Sequence, residues 1–288
     1  MNLNEFQSFQ EIKKHTKDVF PYNTYLCSIP LDFDMVPLHW HQEVEFIVIK
    51  KGEGLIRLDF ESHHVNAGDI IIVLPEHLHE ITQSEDHKME YENIIFKKEL
   101  LCDSSHDVCS TGYFDPLFHG NLAINCHIVP HITYYDEFLE LVNQLDYLSG
   151  AHPTAYELAI KGCLFRMFYL LIANQNKRAL SKTELKSLDK IKFIVKYIED
   201  HYSEEISVAD MASLCYFSES HFMKFFKANM GTSFINYVND YRLTMAAKLL
   251  RSTSDNTLTI AEQVGFDNLS YFNRIFKRKY GITPTQMR

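Results

Sequence analysis

The sequence predicts an α+β protein of about two domains. An N-terminal β-barrel is followed by helices, and a C-terminal all-α domain contains two helix-turn-helix units joined by a connecting helix. Three patterns predict this architecture. Short apolar runs broken by turn residues fill about the first 100 residues. Two segments with helical spacing follow them. One ten-residue pattern then occurs twice in the last part of the chain.

The apolar runs of the first part predict β-strands at 24–29, 44–49, 55–59, 69–74 and 89–96. Gly52, Gly54, Gly68 and Pro75 lie between these runs and are interpreted as turn residues. Many short strands with frequent turns are typical of a sandwich or a small barrel. The segment 101–135 is predicted to be irregular.

Two helices are predicted at 136–149 and 155–173 from the spacing of their apolar residues. The second helix is apolar on two faces, so we expect it to be buried on two sides. One side can pack on the barrel and the other can meet a second copy of the chain, which predicts a homodimer. The polar segment 176–187 is the predicted linker between domains at 1–175 and 188–288.

The strongest pattern is an internal repeat in the C-terminal domain. Residues 218–227 match residues 268–277. Four pairs share an offset of 50: Ser220 with Ser270, Phe222 with Phe272, Lys224 with Arg274, and Phe226 with Phe276. Upstream the offset is 49, as between Phe217 and Phe266, so Asp267 is a one-residue insertion.

Each copy of the repeat has the pattern of a helix-turn-helix. The side chains suited to capping are Ser207 and Thr259 for the first helices, and Ser218 and Asn268 for the second. Gly231 and Gly281 fit the left-handed position that ends a helix. The phenylalanines form a buried face, which leaves polar and cationic side chains outward, where they suit base edges and phosphates. The predicted DNA-contacting residues are Ser220, His221, Met223, Lys224, Lys227, Ser270, Tyr271, Asn273, Arg274, Lys277 and Arg278.

A connecting helix is predicted between the two units. Its apolar stripe consists of Phe234, Tyr237, Val238, Tyr241, Met245 and Leu249. A helix of about 18 residues is ~27 Å long, and successive major grooves on one face of DNA lie ~34 Å apart. We therefore expect the connector to hold two helices in adjacent grooves of double-stranded DNA. The alternative is a helical bundle with a charged surface.

The distribution of charge is compatible with a nucleic-acid partner at the C-terminal end. Residues 1–182 contain 14 basic and 26 acidic residues, whereas residues 183–288 contain 14 and 12. The segment 271–288 has no acidic residue and five basic ones: Arg274, Lys277, Arg278, Lys279 and Arg288. Two interpretations stay open, a surface that contacts a polyanion and a basic helix face that is only solvated.

The composition excludes several other classes of protein. With 46% hydrophobic residues the chain is not disordered. Its longest apolar stretch, Leu164–Ala173, is shorter than the ~20 residues that span a bilayer, and Arg166 interrupts it. The six cysteines form no Cys-x-x-Cys pair, so neither a disulfide framework nor a zinc knuckle is indicated. We expect a cytoplasmic protein with no membrane partner.

The run from Ile260 to Pro284 resembles the signature of the AraC/XylS family of bacterial transcription regulators over nearly its whole length. Arg242-Leu243, Ala246 and Leu249-Leu250 are similar to the connecting helix of that family, and the resemblance covers 188–288. It implies a DNA-binding domain with two helix-turn-helix units. Tyr216 departs from the pattern, because the family commonly has a small residue there. A large side chain at this position could make the first turn less tight.

Two histidine-containing segments resemble the cupin motifs. His39, His41 and Glu45, followed by Gly52, resemble the first motif, and Gly68–His79 resembles the second. The resemblance spans about 20–100 and implies a cupin-like barrel that senses a small effector, as in many AraC-type regulators. Alternate residues of a strand share a face, so His39 and His41 would point the same way, into the barrel if the fold is a cupin.

The predicted effector-binding residues are His39, His41, Glu45, Arg57 and His79. Three imidazoles and a carboxylate are also a reasonable ligand set for Zn, Mn, Fe or Ni, so His39, His41, Glu45 and His79 are a candidate site for a divalent metal. Three roles stay open for them: contact with an effector, ligation of a metal, and hydrogen bonding within the domain. Arg57 could contact an anion or lie on the surface.

The expected function is sequence-specific regulation of transcription. In this interpretation 1–175 binds an effector and dimerises, and 188–288 binds DNA. The family resemblance implies gene activation, hence contact with RNA polymerase, and a sugar as the effector. The alternatives are a metal-responsive regulator and a metal-dependent cupin enzyme fused to a helical domain. We found neither a glycine-rich phosphate loop nor a serine nucleophile motif, so we expect no enzyme activity and no cofactor beyond that metal.

Overall fold

The computed structural model describes residues 19–32, 35–84, 87–102, 107–175 and 182–287. The chain divides into two compact units, one ending at Lys186 and the other beginning at Ser187. The helix α4 (Lys182–His201) crosses this boundary, so 182–187 of the predicted linker are helical, in keeping with the helix-forming Lys, Glu and Leu of that segment. The remainder of the predicted linker, 176–181, lies outside the described residues.

Among the residues that the structure describes, the N-terminal unit is built on a sheet of eight strands. They are β1 (Tyr22–Ile29), β2 (Val36–His39), β3 (Glu43–Leu58), β4 (Glu61–Asn66), β5 (Ile70–Val73), β6 (His79–Gln83), β7 (Met89–Lys97) and β8 (His127–Ile128). The main path runs β1-β7-β3-β5-β8, and all pairs are antiparallel. The first half of β3 pairs with β5 and β7, whereas its second half pairs with β4 and β6. One layer therefore contains β1, β5, β7 and β8, the other contains β2, β4 and β6, and β3 belongs to both.

The strands form a cupin-like sheet, but they do not close into the barrel that the sequence predicts. Within the described residues, β1 and β8 lie at opposite ends of the main path and do not pair with each other. β8 is only two residues long, which is too short to complete a ring. Helices cover the apolar outer face instead: the ring of Phe46 lies 6.0 Å from that of Phe138 and 6.1 Å from that of Phe168.

β3 joins two of the predicted strands into one. The sequence predicts turns at Gly52 and Gly54, but the strand continues through both. A Cβ on Gly52, which has φ +75°, would lie 1.8 Å from the Lys88 carbonyl oxygen, and a Cβ on Gly54 would lie 2.6 Å from Met89 Sδ. The register against β7 also shifts just before Gly52. These glycines therefore mark a bulge where β7 approaches closely.

Helices of the N-terminal unit follow the sheet as α1 (Asp115–Phe118), α2 (Tyr135–Ala151) and α3 (Tyr156–Ala173). The predicted irregular segment also contains a π-helical turn, Ser110–Phe114, besides α1 and β8. The two faces of α3 differ. Ile160, Leu164 and Met167 are fully buried in the core, whereas Leu158 is 73% exposed. The second apolar face is therefore only partly open to solvent in the single chain: Phe165 is 39% exposed, whereas Phe168 is buried against the sheet.

The C-terminal unit continues as α5 (Val208–Leu214), α6 (Glu219–Met230), α7 (Phe234–Ser252), α8 (Thr257–Gln263) and α9 (Leu269–Tyr280). Ser207, Ser218 and Asn268 cap α5, α6 and α9 as predicted. The predicted cap Thr259 is wrong. Asn256 caps α8 and accepts a hydrogen bond from the backbone N–H of Thr259, because the helix begins one turn earlier than its apolar residues indicate. Gly231 and Gly281 end α6 and α9 at φ +71° and +73°.

The connecting helix α7 buries two different faces. In its first half Phe234 packs against Phe222 and Phe226 of α6, with ring centroids 5.1 and 5.3 Å apart. In its second half the buried residues are Leu243, Ala246, Ala247 and Leu250, which join the core of α8 and α9. The single predicted stripe is therefore incomplete, because the helix packs against both helix-turn-helix units and buries a different face against each.

Candidate DNA-binding surface and ligand site

The outward face of α6 carries every residue that the sequence predicts for it. Phe222 and Phe226 are fully buried and fix the orientation of the helix. The exposed residues are Ser220, His221, Met223, Lys224 and Lys227. The cap positions the start of the helix, since the Ser218 hydroxyl accepts the backbone N–H of His221 at 3.3 Å. The result is a polar and cationic surface on a rigid helix.

The outward face of α9 is the second such surface. Phe272 and Phe276 are fully buried, as their counterparts in α6 are. Ser270, Tyr271, Arg274, Lys277 and Arg278 are exposed, and Asn273 is half-buried. The Arg274 guanidinium lies 5.3 Å from the centre of the Tyr271 ring, which limits the directions in which it can extend. The hydroxyl of Tyr271 accepts a hydrogen bond from Asn239 of α7 at 3.1 Å.

The basic tail is less free than its charge indicates. Lys279 Nζ lies 2.7 Å from Asp240 Oδ2 and donates to the Thr244 hydroxyl at 2.9 Å, so it ties α9 to α7. Arg288 lies outside the described residues. Within the described part of the tail, Arg274, Lys277 and Arg278 are the exposed cations that remain for DNA.

A cation lies against the turn of each helix-turn-helix unit, in a role that the sequence patterns do not predict. Lys190 of α4 donates to the Cys215 carbonyl at 2.7 Å in the first turn. Arg242 of α7 lies against the second turn, with its guanidinium 5.7 Å from the centre of the Phe266 ring. Its hydrogen bonds go to the carbonyls of Tyr202 and Glu204, between α4 and α5, at 2.7 and 2.6 Å. Each of these hydrogen bonds joins residues that are 25 or more positions apart in the sequence, so no local sequence pattern predicts them.

Tyr216 does not loosen the first turn. It has φ +58° and corresponds to Gly265, which has φ +88°. The N–H of each donates to the carbonyl three residues earlier at 3.0 Å. The N–H of the next residue donates to the carbonyl five residues earlier, at 2.8 Å in the first unit and 2.9 Å in the second. The two turns have the same geometry, so both units can present their second helix in the same way.

The N-terminal unit gathers four of its five predicted effector residues into one buried cluster. β2 pairs with β6 so that His39 lies opposite His79, with ring centroids 4.0 Å apart. His41 follows β2, and Glu45 extends from β3. Their exposed fractions are 5, 2, 3 and 0% for His39, His41, Glu45 and His79. Glu45 Oε2 lies 3.1 Å from His41 Nε2 and 3.1 Å from His79 Nε2.

The three histidines of this cluster share one hydrogen-bonding pattern. The Nδ1 atom of each lies 2.9–3.1 Å from a backbone carbonyl oxygen two residues away. A carbonyl only accepts, so each Nδ1 carries the hydrogen, and a neutral ring then has only a lone pair at Nε2. His79 Nε2 is close to the Glu45 carboxylate but outside hydrogen-bond geometry. The cluster therefore favours a cation, either a proton or a metal ion, between these atoms.

The pKa shifts within the cluster also favour a positive charge beside Glu45. Burial lowers the pKa of His39 well below its usual value, and the neighbouring rings of His79 and His41 lower it further. Burial would raise the pKa of Glu45, but the rings of His41 and His79 outweigh it and hold that pKa well below the usual range. An ionised carboxylate sealed from water requires a positive charge beside it.

Arg57, the fifth predicted residue, is not brought into the cluster. Leu58 is the register partner of His79, and Arg57 pairs with Glu80, so Arg57 lies on the opposite face of the sheet. A cavity of about 220 Å³ opens on the side of Leu58. Leu74, Leu117 and Ile124 line it, together with Asp59 and His77. The His77 ring and Asp59 are hydrogen-bonded, and Glu61, His63 and Glu184 also line the cavity, which therefore has both apolar and polar walls.

Comparisons with known proteins find a matching domain family for each of the two compact units. The family model described as AraC-like ligand binding domain matches residues 31–167, and the helix-turn-helix domain model matches residues 211–288. The chain is 27% identical to the uncharacterized HTH-type transcriptional regulator YdeC of Bacillus subtilis, over 96% of this chain and 95% of that one. It is 25% identical to the HTH-type transcriptional activator RhaS of Mannheimia succiniciproducens, over 88% and 90%.

A solved structure of ToxT from Vibrio cholerae is 15% identical, with a TM-score of 0.47, over 92% of this chain and 97% of that one. The two family models together cover most of the chain, one in each compact unit. Both α6 and α9 lie within the range of the helix-turn-helix model, and most of the cupin-like sheet lies within the range of the ligand-binding model. The chain belongs to the AraC family of DNA-binding transcriptional regulators, with an AraC-like ligand-binding domain at its N-terminal end.

Proposed function

We propose that this regulator activates transcription by inserting α6 and α9 into adjacent major grooves, under the control of a small effector bound in the N-terminal unit. The observation that carries the proposal is the duplicated surface: two capped helices with buried phenylalanines and outward polar and cationic residues. The name of the RhaS relative, a transcriptional activator, supports activation. Activation would add RNA polymerase as a partner.

The proposal is tested by selecting duplexes from a random pool with the full-length chain. The selected duplex is then competed against random duplex at physiological salt. We expect at least a thousandfold preference, the lower end of what specific DNA-binding proteins show. Equal affinity for both duplexes would contradict sequence-specific regulation.

The effector is proposed to be a sugar or related metabolite, which the family resemblance suggests. The four-residue cluster is at most 5% exposed, so it offers little surface to such a molecule. The cavity lined by Asp59 and His77 is open and offers hydrogen-bond partners. For control of DNA binding, the effector must bind one conformation of the chain more tightly than another. We propose that the N-terminal unit acts as a sensor and not as an enzyme.

A second candidate function, metal-responsive regulation, is favoured by the cluster of His39, His41, Glu45 and His79. Ligand atoms of a tetrahedral zinc ion at ~2.1 Å lie ~3.4 Å apart. Glu45 Oε2 lies 3.1 Å from the Nε2 atoms of both His41 and His79. The ligand nitrogens of the three histidines lie within 4.8 Å of one another, so the rings would move closer together to share one ion. A bound ion would neutralise Glu45 and link β2, β3 and β6.

Metal removal and the His41→Ala variant test this second candidate. We expect wild-type protein to retain about one Zn²⁺ or Mn²⁺ per chain after dialysis, measured by elemental analysis, and His41→Ala to bind at least tenfold more weakly. His64→Ala is the matched control, because His64 is exposed on β4. If metal alters the affinity for the selected duplex, the ion is regulatory. Wild-type protein that retains no more metal than His41→Ala would contradict the site.

A homodimer through α2 and α3 is proposed from their exposed apolar residues. Tyr147, Leu158 and Tyr169 are 66, 73 and 56% exposed, although the opposite side of α3 is buried. Apolar surface of this kind favours burial against a partner. We also propose a cytoplasmic location. None of the helices in the described ranges combines the length and the apolar character that crossing a bilayer requires.

A further inference from the structure

We propose that Tyr216 is a DNA contact of the first helix-turn-helix unit. Its phenol O–H donates a hydrogen bond to a phosphate oxygen at the edge of the groove that α6 enters. The inference rests on the proposed insertion of α6, and it adds a residue outside the polar face of that helix.

The backbone conformation of Tyr216 is one that glycine adopts freely and that a tyrosine adopts only under strain. Its φ is +58°, in the left-handed region. The corresponding Gly265 has no alternative to glycine, because a Cβ there would lie 2.8 Å from the Tyr202 carbonyl oxygen and 3.0 Å from the Arg242 guanidinium. The first turn has room for a side chain, yet the residue that fills it is large and aromatic.

The side chain of Tyr216 contributes almost nothing to the fold. It is 93% exposed, so packing within the chain does not offset the strain of its backbone. Its position is nevertheless fixed: Lys190 holds the carbonyl of the preceding Cys215, and Phe217 on the other side packs against the ring of Phe225 at 5.1 Å. A strained, rigidly held and fully exposed side chain points to a contact outside the chain.

The position of Tyr216 selects the sugar-phosphate backbone as that contact. The first residues of a helix in the major groove contact base edges. Tyr216 lies two residues before the capping residue Ser218, hence outside the helix and beyond the bases it reaches. Lys224 and Lys227 are exposed further along α6 and supply positive charge on the same helix. A phenol is a neutral donor, so it would bond to a phosphate without adding to the charge of the interface.

The test uses the full-length chain with Tyr216→Phe and Tyr216→Gly, on the selected duplex and on a random duplex. Tyr216→Phe should weaken binding about three- to tenfold on both duplexes, because phosphate contacts carry no sequence information. Its melting temperature should not change. Tyr216→Gly should lose at least as much affinity, while its melting temperature rises by about four degrees as the strain is removed. Opposite effects on stability and affinity distinguish a binding role from a structural one.

Two controls complete the design. Tyr113→Phe changes an exposed tyrosine of the N-terminal unit and should leave DNA affinity unchanged. Lys224→Ala should reduce the salt dependence of binding by about one counterion, whereas Tyr216→Phe should leave it unchanged. Tyr216→Phe binding as tightly as wild type would overturn the proposal, even if Tyr216→Gly binds weakly. Wild-type protein that binds neither duplex would instead overturn the proposed function.

Discussion

Phe272→Ala is expected to destabilise the C-terminal unit by ~3–5 kcal/mol, the loss typical of removing a buried aromatic ring. Phe272 is fully buried, and its ring lies 5.2 Å from that of Phe266 and 5.5 Å from that of Phe276. The cavity would open between α8 and α9, so the outward face of α9 would lose its fixed orientation. DNA affinity should fall as a secondary effect.

Urea unfolding of the full chain, followed by a probe of the C-terminal unit, measures this loss. Leu258→Ala is the control, because Leu258 lies in the same unit but is 48% exposed, and it should cost at most ~0.5 kcal/mol. A loss below ~1 kcal/mol for Phe272→Ala would mean that this core does not hold α9 in place.

Arg274→Ala is expected to weaken specific DNA binding by ~1–3 kcal/mol if Arg274 reads a guanine. The guanidinium can donate two parallel hydrogen bonds to the O6 and N7 atoms of that base. The Tyr271 ring beneath it and the bond from Asn239 to the Tyr271 hydroxyl restrict its motion before DNA arrives. Less conformational entropy is then lost on binding.

The measurement compares the selected duplex with duplexes changed at single base pairs. Arg274→Ala should lose its discrimination at one position and keep it elsewhere. Lys277→Ala is the matched control on the same helix: its loss should be equal on every duplex and should fall as salt rises. If Arg274→Ala also loses affinity equally on every duplex, Arg274 contacts only phosphate.

The helical half of this protein could be predicted from its sequence because its signals are local. Side chains three or four residues apart define the faces of α6 and α9, and the caps lie within one turn of each helix start. Lys279 is an exception, because its contacts are not local. Its charge indicates DNA, but Asp240, 39 residues earlier, holds it against α7.

The sheet was less predictable because its features depend on contacts between distant segments. Gly52 looks like a turn residue in the sequence, and only the approach of the Lys88 carbonyl shows that it lies in a bulge. Closure of the barrel likewise depends on how β8 pairs. The cluster of His39, His41, Glu45 and His79 was predicted from motifs, but the carbonyls that orient the rings follow from the fold.

We propose that α6 and α9 of one chain occupy consecutive major grooves on one face of DNA. Hydroxyl-radical footprinting of the full-length chain on the selected duplex measures this directly. Each bound chain should protect two patches about 10 base pairs apart on one face, with Lys224→Ala weakening one patch and Arg274→Ala the other. A single patch per chain, or two patches on opposite faces of the duplex, would contradict the account.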